Sequence, residues 1–401
     1  ATVPYFYNYY ELLKEEKCKV VILRVDFNVP LDDGGKILDT TRIVQSLPTI
    51  KYLIGQKAKV VLISHLGRPE GYEIRKSLWP IALILIQALP TSVHFINKVY
   101  GDEVKQRIND MGNGEVLLLE NVRFYKEEIE CDMAFARKIA SLGDYFVNDA
   151  FGVAHRKHAT TYGLARLMPN AIGLLMEKEV SALTGAVDNP KHPFVFIIGG
   201  GKVQGKINLI LKLLESADTV IVGGAMAYTF LVASGVAVGE SKVYDESVAY
   251  ARDILNIAKE RGKKILLPID HVCIRESAKR KKPFVTDEMV DDMVGFDIGP
   301  KTIALFKEEI KNAKQILWNG PLGKYEDPEF AKGTMEIAKA IADSDAYSIV
   351  GGGDSLSAIK MAKVENKIDL ISTGGGATLK FIEQGSLPCI DVIQDKIVLK
   401  R

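Results

Sequence analysis

Residues 194–206 read FVFIIGGGKVQGK: five apolar residues in a row, three glycines, then Lys202 and Lys206. An unbroken apolar run of this length, with no polar alternation, describes a strand covered on both faces. Glycines directly after it let the backbone approach a ligand closely. The unpaired N–H groups of a following helix then attract phosphate. If 202–206 is helical, Lys202 and Lys206 share one face, and a phosphate between them offsets the repulsion of two ammonium groups.

The same succession of strand, glycines and helix start recurs in DTVIVGGAMA (218–227), YSIVGGGDS (347–355) and DLISTGGGAT (369–378). Tight turns also need glycine, so one such loop says little. Four in one half of a chain point to a nucleotide. Two more strand-like runs, KKILLPIDHV (263–272) and QILWNGPLG (315–323), lie among them. The first half repeats the habit in KVVILRVDFNVP (19–30), AKVVLISHLGRP (58–69), EVLLLENVRF (115–124) and DYFVNDAFGVAHR (144–156). Helical patterns between the runs supply the crossovers of open, mostly parallel α/β sheets.

A chain of 401 residues exceeds one comfortable core. The expected fold is α/β, with two similar-sized domains. Each is an open, mostly parallel sheet covered by helices, a Rossmann-like three-layer arrangement. The stretch 168–192 mixes a helical pattern with proline and glycine and is read as a hinge helix. The first domain is placed at 1–170 and the second at 171–383.

Lysine and arginine total 52 against 51 acidic residues, so the whole chain has no signature of a nucleic-acid or membrane partner. Any anion site must come from local clustering. Cys18, Cys131, Cys273 and Cys389 form no CxxC pair and read as free thiols or small core residues. The greasiest run, Leu78 through Leu89, is too short to span a bilayer and fits a buried helix. No basic region followed by an apolar stretch opens the chain, so a cytoplasmic location is expected.

Ligands of doubly wound sheets sit beyond the carboxyl ends of the strands. There the first half places Arg24, Asp26 and Asn28, then His65 and Arg68, then Arg123, then His155 and Arg156, with Arg42 between the first two segments. A lone arginine is usually only solvated. Arginine or histidine after four separate strands instead describes a cationic rim for a small, multiply charged anion, whose oxygens match the guanidinium fork. His94, His158 and His192 are read as having no such role. No HExxH or close His/Cys/carboxylate grouping marks a protein-held zinc.

In the second half, Gly200–Lys206 nearly spells a P-loop, but Ile207 replaces the Ser or Thr that motif requires, and GxGxxG is absent. Asp354, directly after Gly351–Gly353, is a candidate for Mg²⁺ coordination beside phosphates. Glu326, after WNGPLGKY, is a candidate acceptor for ribose hydroxyls.

Taken in order, RVDFNVP (24–30), TRI (41–43), SHLGRP (64–69), ENVRF (120–124), DAFGVAHR (149–156), GGGKVQGK (199–206), GGAMAYTF (223–230), DIGPKT (297–302), WNGPLG (318–323), GGGDS (351–355) and STGGGAT (372–378) resemble the phosphoglycerate kinase family nearly end to end. The resemblance implies reversible transfer of the acyl phosphate of 1,3-bisphosphoglycerate to MgADP, giving 3-phosphoglycerate and MgATP, in glycolysis and gluconeogenesis. It implies a monomer that closes its two domains like a hinge, with about 384–401 returning to the first. It assigns Asp26, Asn28, Arg42, His65, Arg68, Arg123 and Arg156 to 3-phosphoglycerate. Lys202 and Lys206 fall to the nucleotide phosphates, Gly223, Gly224 and Gly295 to the base pocket, and Glu326 to the ribose. Gly352, Gly353, Asp354 and Ser355 fall to phosphates and magnesium, with Asp354 the metal ligand.

Two departures stand out: Gly205 where the family usually has aspartate, and the opening ATVPYFYNYYELLKEEKCK. Glycine costs about 1 kcal/mol in a helix interior, so Gly205 bears on the placement of Lys206. Arg42, Lys202 and Lys206 are expected to meet the charge on the moving phosphoryl group, with no general base, because the attacking oxygen is already ionised. A nucleotide binder without turnover, a dinucleotide oxidoreductase and a kinase for another acyl phosphate are the competing readings.

Overall fold

The computed structural model describes residues 20–398, without the side chains of 394–398. The opening segment, Cys18 and the last three residues lie outside these. The described residues form two compact units. One runs to Ser181 and resumes at Gln384; the other is Ala182–Glu383. The division falls inside the helix Leu174–Asp188, which carries the chain from the first unit to the second.

The first unit holds β1 (Val20–Arg24), β2 (Lys59–Ile63), β3 (Val93–Phe95), β4 (Val116–Leu118), β5 (Tyr145–Asn148) and β6 (Asn170–Ile172). They form one sheet in the order β3-β4-β2-β1-β5-β6, with every pairing parallel. From the central β1 the chain builds outward through β2, then crosses back to β5 on the other side. A change of direction of this kind opens a crevice outside the carboxyl ends of the middle strands. Val21, Leu23, Val60, Leu62 and Val147 join helix residues such as Ile43, Ile50 and Leu85 in one core.

The second unit repeats the plan. It holds β7 (Phe194–Ile198), β8 (Thr219–Val222), β9 (Lys264–Leu266), β10 (His271–Arg275), β11 (Phe284–Thr286), β12 (Met293–Ile298), β13 (Gln315–Asn319), β14 (Tyr347–Gly351) and β15 (Leu370–Ser372). The main sheet runs β15-β14-β13-β7-β8-β9, again parallel throughout. Here the change of direction lies between β7 and β13. Both are buried at all five positions, as unbroken apolar runs require when helices cover both faces. Trp318 on β13 is fully buried, and its Nε1–H donates to Gly320 O at 2.7 Å. The small antiparallel sheet β11-β10-β12 has no counterpart among the described residues of the first unit.

The run 78–89 is a helix over Trp79–Ala88, with proline in its first turn. It differs from the expected buried helix in facing the core along one side only. Ile81, Ala82 and Leu85 are buried, while Trp79, Leu83 and Ile86 are exposed. Its apolar residues outnumber those a surface helix can bury. Among the described residues no helix is long and apolar enough to cross a membrane.

The C-terminal helix Pro388–Val398 belongs to the first unit. Cys389 N–H donates to Ala154 O at 3.1 Å, and its thiol reaches Arg156 O at 3.3 Å.

Candidate active site

In the first unit the cationic residues gather where the sheet changes direction, but they divide into a buried layer and a rim. Arg24, the last residue of β1, is fully buried and turns inward. Its Nε donates to Thr160 Oγ1 at 2.9 Å, one Nη to Val25 O at 2.6 Å, and the other lies 3.1 Å from His65 Nδ1. The equally buried Glu128 is its ion partner at 3.5 Å and accepts from Thr160 N–H at 2.8 Å. Nothing in the run KEEIE suggested a buried carboxylate, since such a run usually reads as a solvated face.

His65 is buried beside this layer. Desolvation first, then Arg24, Arg123 and Arg42, hold its imidazole well below the ordinary value. Because Arg24 is always a donor, His65 Nδ1 accepts and the ring proton sits on Nε2, 4.0 Å from Asp26 Oδ1. Asp26 accepts from Asn28 N–H at 3.0 Å and receives Arg42 Nη1 on both oxygens at 3.2 Å. Asn28 Oδ1 accepts from Gly67 N–H at 2.8 Å. Arg123 Nη1 donates to Gly67 O at 2.9 Å, while its Nε is buried without a partner. Burial, with Arg24 and Arg156 nearby, lowers its guanidinium to about 10. Arg68 and Arg156 are exposed, and Arg156 Nε donates to His155 Nε2 at 3.4 Å.

His158, read from sequence as having no role, is buried in the same cluster. Its Nδ1 has no partner, and burial with Arg24, Arg123 and Arg156 pushes its ring down to about 4. The phrase AHRKH carried that signal, but spacing alone does not separate a packed histidine from a site histidine.

In the second unit the ends of β7 and β13 meet edge to edge. Gly199 must be glycine: a Cβ there would sit 2.0 Å from Pro321 O. Gly200 has a φ of +108°, the left-handed region glycine tolerates. The chain then makes a short 3₁₀ turn over Gln204–Lys206, and the α-helix begins only at Ile207. The expected helix carrying both lysines on one face is therefore absent, and Gly205 lies in the turn with open space around it. The two ammonium groups diverge. Lys206 Nζ donates to Gly199 O at 3.0 Å and to Asn319 Oδ1 at 3.1 Å. Lys202 Nζ lies over the Tyr244 ring at 5.6 Å, a ring it shares with Lys242 at 5.1 Å. Burial lowers the Lys206 ammonium from its ordinary value, and Asp354 works against that shift.

Asn319 Nδ2 donates to Gly351 O at 3.0 Å, which ties Lys206 to the next glycine turn. Gly352 has a φ of +95°, and the helix Gly353–Ala362 starts directly after it, so its first N–H groups are free for an anion. Asp354 is exposed in that first turn, and its Oδ1 accepts from Tyr325 Oη at 3.0 Å. Ser355 is buried, and its hydroxyl accepts from Gly320 N–H at 2.7 Å. Its side chain thus braces the β13 turn, and any phosphate contact falls to the backbone. Among the described residues no three His, Cys, Asp or Glu side chains cluster to hold a metal. Asp354, with one oxygen bound to Tyr325, fits a single protein ligand to Mg²⁺, which keeps waters and substrate phosphates as its other ligands.

A cavity beside these turns is lined by Gly200, Gly224, Tyr228, Gly295, Phe296 and Glu326, among others. Gly224 and Gly295 line it, as the sequence reading expected, whereas Gly223 lies just behind and does not; Gly223 and Gly224 are both tightly packed. A Cβ on the first would meet Leu322 at 2.1 Å, and the second, at φ +67°, packs on the Gly200 backbone. Asn319, Lys242 and Tyr228 carried no role in the sequence reading, though Asn319 stood inside WNGPLG.

A family model described as phosphoglycerate kinase matches residues 14–385. A phosphoglycerate kinase of Dictyoglomus turgidum is 49% identical over 383 residues, covering 95% of this chain and 96% of its own. One of Clostridium botulinum is 46% identical over 386 residues, covering 95% and 97%. Among solved structures, the phosphoglycerate kinase of Coxiella burnetii superposes with a TM-score of 0.84 at 40% identity, covering 94% of this chain and 96% of its own. That of Pyrococcus horikoshii gives 0.82 at 35% identity, covering 96% and 97%.

Proposed function

The chain belongs to the phosphoglycerate kinase family, whose reaction moves the acyl phosphate of 1,3-bisphosphoglycerate to ADP and back, and from that premise we propose how its residues divide the work. The first unit binds 3-phosphoglycerate or its acyl phosphate through Arg42, Arg68, Arg123 and Arg156, with His65 Nε2–H, Asp26 and Asn28 orienting it. The second binds the nucleotide, with its base in the cavity lined by Gly224 and Gly295, its ribose at Glu326, and its phosphates at Lys202, Lys206 and the N–H groups of 352–355.

One observation carries this reading. Arg123 is buried beside Arg24 and Arg156 with its Nε unpaired, and its guanidinium is lowered to about 10 although Glu128 and Asp26 oppose the shift. A bound anion would make such a concentration of like charge favourable.

An oxygen of the ADP β-phosphate attacks the acyl phosphorus, and the bond to the carboxylate oxygen breaks on the far side. The carboxylate leaves with the bonding pair, and no proton moves. Arg42, Lys202 and Lys206 meet the charge spread over the three equatorial oxygens, an electrostatic role prepared before reaction. Mg²⁺, held through Asp354 and phosphate oxygens, would neutralise further phosphate charge. The substrates belong to different units, so transfer requires the units to approach, which also excludes water that would hydrolyse the acyl phosphate. Both substrate sets lie on one chain, which supports action as a monomer.

The test is a coupled assay supplying 3-phosphoglycerate, MgATP, glyceraldehyde-3-phosphate dehydrogenase and NADH. NADH loss that requires Mg²⁺ and falls about 100-fold or more in Lys202→Ala is expected. Intact nucleotide binding without turnover would overturn the assignment.

A further inference from the structure

The turns that follow β13 and β14 are tied to each other by three side-chain hydrogen bonds. Asn319 Nδ2 donates to Gly351 O at 3.0 Å, and Ser355 Oγ accepts from Gly320 N–H at 2.7 Å. These two are buried and end on backbone groups. The third is different. Tyr325 Oη donates to Asp354 Oδ1 at 3.0 Å, so it ends on the carboxylate assigned above to magnesium.

Tyr325 is 7% exposed, and its N–H donates to Gly323 O at 2.9 Å, which fixes the residue in its turn. The Ser357 side chain, in the helix Gly353–Ala362, also bonds the phenol. A phenol held in this way is a fixed donor, because an ordinary tyrosine stays protonated at neutral pH. Asp354, by contrast, is exposed in the first turn of its helix. Phenylalanine would fill the space of the ring equally well, so packing alone does not call for the hydroxyl.

Mg²⁺ demands near-octahedral geometry with single oxygens at about 2.0–2.1 Å, whereas Ca²⁺ readily takes a carboxylate by both oxygens at about 2.3–2.6 Å. A carboxylate whose Oδ1 is committed to a hydroxyl offers Oδ2 alone. A two-oxygen grip would have to share or displace the phenol. Resting on the assignment of Asp354 to the metal, we infer that Tyr325 is the positioning residue of that site: its hydroxyl holds Asp354 to a one-oxygen grip and thereby favours Mg²⁺ over Ca²⁺. Partners of this kind, behind a ligating group, orient it and cost metal affinity when removed. The Lys206 ammonium also feels the Asp354 charge, but it brings no selection between two divalent ions.

The experiment compares the unaltered protein with Tyr325→Phe, which keeps the packed ring. Mn²⁺ binding in the presence of ADP is followed by electron paramagnetic resonance, and Mg²⁺ and Ca²⁺ are measured by displacement of Mn²⁺. The variant is expected to bind Mn²⁺ and Mg²⁺ roughly 10-fold more weakly and Ca²⁺ with a smaller change, so that its preference for Mg²⁺ falls. An equal preference in the two proteins overturns the inference. An equal loss for all three ions does so too, because the hydroxyl would then be only a brace between two turns. Asp354→Asn is the second arm: unchanged Mn²⁺ binding in that variant would take Asp354 away from the metal and overturn the reading on which the inference stands.

Discussion

Arg24 lies 3.1 Å from His65 Nδ1, and this contact fixes which nitrogen of the histidine carries the proton. A guanidinium cannot accept, so His65 is neutral with its proton on Nε2. Long-range ¹H–¹⁵N NMR between pH 5 and 8 is expected to show an unprotonated Nδ1 and no titration of this ring. The lowered His65 and His158 pKa values also set a sign. Their contribution to stability is full above about pH 6.5 and is lost as pH falls toward the folded values, near 4 for His158. Arg24→Lys keeps the charge but cannot serve Thr160, His65 and Glu128 together. It is expected to cost about 1–3 kcal/mol and to leave the His65 tautomer without a fixed donor, while burial keeps the ring neutral.

Asn319 holds Lys206 from one side and the Gly351 carbonyl from the other, so it acts as a positioning residue for the lysine. Asn319→Ala is expected to lower kcat roughly 10- to 100-fold, the scale of an ångström misplacement, with KM changing less. Asn319→Asp would pair Lys206 with a resident carboxylate and raise the KM for nucleotide instead. Steady-state kinetics on both variants separates the two effects. Equal parameters in all three proteins would show that Lys206 needs no support.

Asp297 accepts from Gly333 N–H and Ile298 N–H, each at 2.9 Å, yet burial raises its carboxyl to about 7. With the folded value above the ordinary 3.8, its contribution to stability is full below about pH 3.8 and is lost as pH rises through 7. Asparagine resembles the protonated acid. Asp297→Asn is therefore expected to gain on the parent between pH 4 and 7 by at most about 1.4 kcal/mol per pH unit. Trp318 in a Trp79→Phe background reports urea unfolding of the second unit, where Asp297 lies. Parallel stability curves would show that the carboxylate stays ionised without cost.

Burial pushes the Cys389 thiol up to about 12 and Cys273 to about 11. Thiolate is the reactive form, so iodoacetamide at pH 8 should modify both only as fast as the protein opens. For Cys389 that opening means release of the helix Pro388–Val398 from Ala154 and Arg156. Peptide mass spectrometry over time is expected to show Cys389 protected together with the first unit's core. Labelling within the first minutes would mean that the C-terminal segment is mostly undocked.

The strands were legible because helices cover both faces of the two large sheets, which makes β7 and β13 unbroken apolar runs. The three-residue β3 and β6 and the antiparallel β10–β12 sheet were not, since short strands paired at an edge carry no such run. In the site, the sequence order of Asp26, Asn28, Arg42, His65, Arg68 and Arg123 placed them after the right strands. It could not tell Arg24, which turns inward to Glu128, from Arg123, which reaches the Gly67 carbonyl. Both stand at or after a strand end and both are buried; only their partners separate them. The divergence of Lys202 and Lys206 was likewise hidden. It depends on a turn that keeps helical geometry from beginning before Ile207.

The first unit is discontinuous in sequence: its sheet is complete by Ile172, but its last helix begins at Pro388. During synthesis the residues of the second unit all emerge before that helix exists. Domains tend to fold as units while the chain is made, so the second unit can reach its native state first. The half that holds the arginine rim must wait, its Ala154 and Arg156 carbonyls uncovered, until the chain has been extended past Cys389. Late contacts between residues so far apart carry a loop-closure cost and slow folding. On the ribosome the second unit is therefore expected to be complete before the first, the reverse of the order in which the two begin.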